Sequence, residues 1–276
     1  MPPPPLTHYR IRGARGYKPA VSLKDALTLR TLFRHVRIRI AAGPNAGLLW
    51  SVATRSTFLR GAYESPRCEL IAELIREGET VWDVGAHFGY VTLLAAQRCG
   101  SAGEVVAFEP SARNRWYLES HLRWNGVGNA RVLPYALSKE DGESRFEARG
   151  SGTGHLGTRG EIVPTRSIDS LVASGECRAP SLVKADIEGA ELDMLSGGER
   201  TLRNRDAVLL VATHSDELHR ACTGLLVEYG YQVHEPARVA EARRVGWDRL
   251  PIEPELLAVG PGREVDGAIL ERFRAG

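Results

Sequence analysis

Residues 80–100, TVWDVGAHFGYVTLLAAQRCG, constrain the fold more than any other stretch. A short apolar run suited to a buried strand meets a turn with glycines at 85 and 89, and a helical pattern follows over residues 88–99. Strand, glycine turn and helix N-terminus in that order form the ligand-facing unit of open α/β sheets. The alternation continues down the chain. EVVAFE precedes SARNRWYLESHLRWNG; ARVLPYAL reads as a third strand; SLVKADIE and AVLLVAT are apolar runs of strands buried on both faces. DELHRACTGLLVEYG reads as a helix, and YQVHE and ELLAVG close the sheet as a late pair. The predicted fold class is α/β, a doubly wound, mostly parallel sheet with helices on both faces.

Upstream, HVRIRIAAGPNAGLLWSV predicts two short strands joined at Gly43-Pro44-Asn45, and SPRCELIAELIREGE a helix stopping at Gly78. The expected organisation is a Pro-rich arm over residues 1–20, a strand and helix extension over 21–78, the nucleotide-binding domain over 79–262 and a tail over 263–276. The segment RGSGTGHLGTRG, residues 149–160, reads as a flexible surface loop or a lid beside the substrate.

Bulk properties narrow the partners. A formal net charge of +2 over 276 residues argues against nucleic acid or an anionic membrane as the main partner. The cysteines at 68, 99, 177 and 222 form no CxxC pair, so reduced thiols are expected rather than a disulfide framework or a zinc site. MPPPPLTHYR lacks the apolar core of a secretory signal, and no apolar run approaches the ~18 residues of a membrane span. These features predict a soluble, cytoplasmic protein, with a homodimer left open.

The turn itself selects among nucleotides. A dinucleotide site reads G-x-G-x-x-G, whereas here Asp83 precedes Gly85 and Gly89. At 4–5 Å and an effective dielectric near 20, a carboxylate and a phosphate charge interact by about 3–4 kcal/mol. Asp83 is therefore expected to repel a pyrophosphate and attract the ammonium and sulfonium of S-adenosylmethionine, unless it caps the helix or bonds loop amides. Gly85 and Gly89 would let the backbone approach the ligand. Glu109 ends the next strand in AFEPS, placed to accept the two hydroxyls of a ribose. His87, inside the turn, either approaches the cofactor or packs over it.

With these residues in view, the chain resembles the FkbM family of S-adenosylmethionine-dependent methyltransferases. VWDVGAHFGYVTLLAA with AFEPS, LVKADIEGAELDMLSGG, GAYESP and YALS carry the resemblance, which covers roughly residues 43–236. It implies the seven-stranded, Rossmann-like class I methyltransferase sheet and methylation of hydroxyls on sugars, lipids or specialised metabolites. It also implies that Tyr63 and Glu64 reach the cofactor from the extension. The expected cofactor set is then Tyr63, Glu64, Asp83, Gly85, Ala86, His87, Gly89, Tyr90, Glu109, Pro110, Ser111, Ala136 and Asp186. One position departs from the family: Ala212 stands where an acid often precedes the histidine after the fifth strand, here His214.

Methyl transfer to a hydroxyl needs in-line placement and a group to take the proton. His214 and Asp186 are the catalytic candidates, with His214 favoured as base because an unperturbed imidazole titrates near 6.5. Alternation places Lys184, Asp186 and Glu188 on one side of their strand, where packing alone does not account for three charges. Glu188, Glu191 and His155 are the expected substrate contacts, and an ion pair is the plainer reading of Lys184 with Asp186. Asp186, Glu188 and Glu191 do not complete an octahedral oxygen set, so no required metal is predicted. The leading expectation is O-methyl transfer to a small molecule or glycoside. An RNA or protein methyltransferase is the alternative, without an Asn/Asp-Pro-Pro-Tyr-like motif or an added basic domain to support it. An NAD-dependent dehydrogenase and an inactive cofactor-binding protein are further alternatives.

Overall fold

The computed structural model describes residues 33–149, 153–204, 206–247 and 254–275. The expected Pro-rich arm over 1–20 lies outside the described residues.

Among the described residues, thirteen strands form three sheets. In chain order they are β1 (Arg37–Arg39), β2 (Leu49–Ser51), β3 (Thr80–Val84), β4 (Glu104–Phe108), β5 (Ala130–Leu133), β6 (Ala136–Leu137), β7 (Gly142–Arg149), β8 (Thr153–Gly157), β9 (Glu161–Arg166), β10 (Leu182–Ala185), β11 (Val208–Ala212), β12 (Gln232–His234) and β13 (Glu255–Val259). The central sheet has seven strands in the order β12-β13-β11-β10-β3-β4-β5. Pairing is parallel from β11 through β5, whereas β13 runs antiparallel to both β11 and β12. That is the expected sheet with its late pair.

Burial on both faces follows from the apolar runs. Along β3, Val81 packs into a layer with Ile40, Trp50, Ile71, Leu93 and Leu118, while Trp82 packs into the opposite layer with Phe108, Leu171, Met194 and Leu226. The N-terminal extension therefore forms part of the first core layer. Asn45 donates to the Tyr90 carbonyl at 2.8 Å, and Trp50 stacks on His121 with ring centroids 3.7 Å apart.

Three local expectations are revised. ARVLPYAL splits at Pro134, which has no N–H for the ladder, into β5 of the central sheet and β6 of a second sheet. Part of residues 149–160 is strand rather than loop, because β8 pairs antiparallel with residues 145–149 of β7. With β6 and β9 these strands make a four-stranded sheet, order β6-β9-β7-β8. Finally, the expected tail contains the helix Gly267–Ala275, anchored by buried Phe273. Among the described residues, no helix is long and apolar enough to cross a membrane.

Candidate active site

A cleft opens where β3, β4 and β10 end, closed on one side by the extension and on another by the second sheet. Its lining includes Tyr63, Glu64, Gly85, His87, Glu109, Pro110, Ala136, Asp186 and Glu188 among the residues expected from sequence. Asp83, Ala86, Gly89, Tyr90, Ser111, His155, Glu191 and His214 are not on its wall.

The glycine turn is shaped by the protein's own packing. Gly85 has φ +76°, and a Cβ there would lie 2.0 Å from the Asp186 carbonyl oxygen. Gly89 has φ +87°, and its Cβ would lie 2.8 Å from Leu118 Cγ. The expectation that both glycines serve ligand approach is corrected for Gly89, which faces the helix Ala112–Trp124. Tyr90 and Ala86 are buried in the first core layer, and Ser111 caps that same helix by accepting from the Asn114 N–H.

Glu109 is buried at the end of β4. Its Oε2 accepts from the His87 N–H at 2.7 Å, and its Oε1 from the Ser111 N–H at 2.9 Å and Asn114 Nδ2 at 3.3 Å. Burial pushes its carboxyl up to about 7, opposed by these three donors. His87 lies over the turn, stacked on Phe88 at 3.7 Å, with Nε2 buried and lacking a hydrogen-bond partner. Burial, then the charge of Lys184, lowers its imidazole to about 3, so the ring is neutral.

Asp83 is where the structure departs most from expectation. It shares the parity of Val81, so its side chain turns into the first core layer and is fully buried. Oδ2 accepts from Thr92 Oγ1 at 2.6 Å, and Oδ1 lies 3.4 Å from Lys184 Nζ, its register partner on β10. The carboxylate is not at the cleft mouth, and its charge is already partnered.

Lys184, Asp186 and Glu188 do converge on the cleft. Lys184 donates to the Gly85 carbonyl at 3.1 Å. Asp186 Oδ2 accepts from Arg67 Nη1 at 3.0 Å, while its Oδ1 lies 3.6 Å from His214 Nε2. Although burial raises the Asp186 carboxyl, Arg67, Lys184 and His214 together hold it down at about 2. Glu191 is fully buried and accepts from the Ile187 and Gly189 N–H groups, so it shapes the loop rather than meeting a substrate.

His214 lies beside the cleft, off its wall. Its Nε2 lies 3.2 Å from Glu191 Oε1 as well as near Asp186, aligned on neither. Burial opposes its charge, but Glu191 and Asp186 prevail and raise the imidazole to about 9. His155 sits on β8, 4.0 Å from Glu147, outside the cleft; its neighbour Leu156 lines it instead.

Sequence reasoning missed the apolar wall of Phe58, Tyr135, Phe146 and Leu156, which comes from the extension and the second sheet. It also missed Arg67. A cation in the first turn of a helix, against the macrodipole, was the available signal. The non-glycine residues with positive φ among the described residues are Glu64, His87 and Glu188, and all three line the cleft. Such backbone costs of order 1–3 kcal/mol each and collects at functional sites.

The site fits a nucleoside bearing a cation. Glu109 keeps an unused lone pair on Oε2 for a ribose hydroxyl, His87 Nε2 is an orphaned polar atom, and carboxylates dominate the far end. No cluster of three or more metal-ligating side chains occurs among the described residues. The methyltransferase FkbM domain model matches residues 83–233, more than half of the chain. The chain belongs to the FkbM methyltransferase family. It is thus an S-adenosylmethionine-dependent methyltransferase. This FkbM protein is 33% identical over 174 residues to the hexuronic acid methyltransferase AglP of Haloferax volcanii, an alignment covering 62% of this chain and 70% of that one. Among solved structures it is similar to methyltransferase FkbM from Methylobacillus flagellatus KT, at TM-score 0.46 and 20% identity, covering 65% of this chain but only 43% of that one. It is also similar to a SAM-dependent O-methyltransferase from Thermotoga maritima, at TM-score 0.44 and 13% identity, covering 73% and 67% of the two chains.

Proposed function

We propose that this chain methylates a hydroxyl group of a sugar or small glycoside. The observation that carries the reading is Glu188, an exposed carboxylate held at φ +58° on the cleft wall beside Asp186. A glycine would occupy that conformation with less strain, and Glu188 instead presents a carboxylate to the cleft there.

When bound, S-adenosylmethionine supplies a methyl carbon made electrophilic by the sulfonium. Glu109 would accept a ribose hydroxyl, with His87 and Pro110 beside it. Tyr63, Glu64 and Asp186 would surround the amino-acid end. Around that end the carboxylates of Glu64, Asp83, Asp186, Glu188 and Glu191 outnumber the cations Arg67, Lys184 and His214. The preference for a cationic ligand over a diphosphate is thus assigned to the set rather than to Asp83. Glu188 would take the proton as the acceptor oxygen bonds to the methyl carbon and the carbon–sulfur bond breaks, its electron pair staying on sulfur as the neutral thioether of S-adenosylhomocysteine. His214, held as imidazolium, anchors Asp186 and Glu191 and is outside the proton path.

The sugar acceptor is supported by the relative's action on a hexuronic acid and by the wall of Tyr135, Phe146 and Leu156, which offers an aromatic and apolar face to a ring. The test is incubation with methyl-13C-labelled cofactor and oligosaccharides containing neutral sugars or uronic acids. A methyl ether on a saccharide supports the proposal. Transfer only to nitrogen, to protein or to RNA overturns it.

A further inference from the structure

Arg67 lies beside the cleft, is almost completely buried, and joins carboxylates from three separate segments. Its Nη1 donates to Glu64 Oε2 at 2.5 Å and to Asp186 Oδ2 at 3.0 Å, and its Nε pairs with Glu255 at the start of β13. Glu64 and Asp186 line the cleft; Glu255 does not. Glu255 stands directly across the antiparallel pair from Ala212. Placing a cation in the first turn of the helix Ser65–Leu74 opposes the helix dipole, so helix stability does not account for it.

We propose that Arg67 is a positioning residue of the transfer site, whose Nη1 clamps the extension to the end of β10 by fixing Glu64 and Asp186 at their places on the cleft wall. This rests on the reading of the cleft as the cofactor site. One nitrogen, Nη1, serves both cleft carboxylates, so moving it moves both. Asp186 is then held from two sides, by Arg67 on Oδ2 and by His214 near Oδ1, and stays ionised and oriented. The other charged or titratable groups facing this cluster are Tyr63 and Cys68 on the extension, Lys184 on β10, Glu255 on β13, and Glu188 and Glu191, which face His214 from beyond β10. A lysine could supply the charge at Arg67, but its stem is one bond shorter and does not carry the charge to the place of Nη1 between Glu64 and Asp186.

The test uses the full chain and calorimetric titration with S-adenosylhomocysteine from pH 5 to 8, for wild type, Arg67→Met, Arg67→Lys and Glu255→Gln. Thermal melts report folding alongside. Absence of binding by the wild type removes the cofactor-site reading itself, independently of Arg67. Given wild-type binding, Arg67→Met is expected to weaken affinity about tenfold to hundredfold and to add a titration below pH 6 as Asp186 loses its partner. Arg67→Lys should restore the acid limb of the profile without restoring full affinity. Glu255→Gln should bind within about twofold of wild type even where its melting temperature falls. Should Arg67→Met not fold, Arg67→Lys decides alone: affinity below wild type at an unchanged melting temperature supports the clamp. Variants of Arg67 that bind like the wild type with an unaltered pH profile, or Glu255→Gln losing as much affinity as Arg67→Lys, overturn it.

Discussion

Lys184 and Asp83 face each other on adjacent parallel strands, with Nζ 3.4 Å from Oδ1 and both side chains buried. Lys184 also donates to the Gly85 carbonyl, so the pair ties β10 to the glycine turn. Removing one member of a buried pair leaves an uncompensated charge and costs about 3–5 kcal/mol. Asp83→Asn is therefore expected to lower unfolding free energy by roughly 3 kcal/mol in a denaturant titration. The double variant Asp83→Asn/Lys184→Met should recover much of that loss. A single variant as stable as wild type would show that the pair carries no such weight.

His214 makes stability depend on pH in the alkaline range. Its folded imidazole titrates at about 9, above the ordinary 6.5. The resulting stabilisation, on the order of 3 kcal/mol, is fully present below pH 6.5 and lost as pH rises through about 9. Denaturant unfolding at pH 7, 8, 9 and 10 should show this decline, and His214→Gln should flatten it. An equal slope in both proteins would exclude His214 as the cause.

Glu188 sets stability against turnover. Glu188→Gly should raise unfolding free energy by about 1 kcal/mol as backbone strain is relieved. The same change should lower kcat about a hundredfold or more through loss of the proton acceptor, with cofactor affinity little changed. Glu188→Gln should show the kinetic loss without the stabilisation. Turnover unaffected in both would remove Glu188 from the proton path.

Glu109 should give cofactor affinity its own pH dependence. Because burial holds its carboxyl near 7, the fraction ionised grows across neutrality, and a carboxylate accepts ribose hydroxyls more strongly than a carboxylic acid. Affinity for S-adenosylhomocysteine should rise severalfold between pH 6 and 8. Glu109→Gln should bind more weakly and lose that rise; a retained rise would assign it to another group.

The parts of this architecture that depend on local pattern were legible. Apolar runs marked the central strands, and the spacing from Gly89 to Glu109 marked two successive strand ends. Lys184, Asp186 and Glu188 meet at one cleft, but strand parity does not account for it: β10 ends at Ala185, Glu188 lies in a turn at φ +58°, and Ile187 lines the same cleft. Applying the same parity to Asp83 and Val81 would have turned that carboxylate into the core. Charge partners were not legible, because they depend on which strands become neighbours. Asp186 meets Arg67 across 119 residues of sequence, and the protonation of His214 depends on Glu191 and Asp186 arriving beside it. The second sheet was hidden by Pro134 and by glycines that read as a loop, although β7 and β8 pair through residues 145–149 and 153–157.

The central claim is electrostatic: an excess of carboxylate at the amino-acid end of the cleft selects a sulfonium nucleoside over a diphosphate. Isothermal titration of the full chain with S-adenosylmethionine and, separately, with NADH tests it most directly. The account predicts saturable binding of S-adenosylmethionine at one site per chain and no detectable heat with NADH. Saturable binding of NADH without binding of S-adenosylmethionine would contradict it.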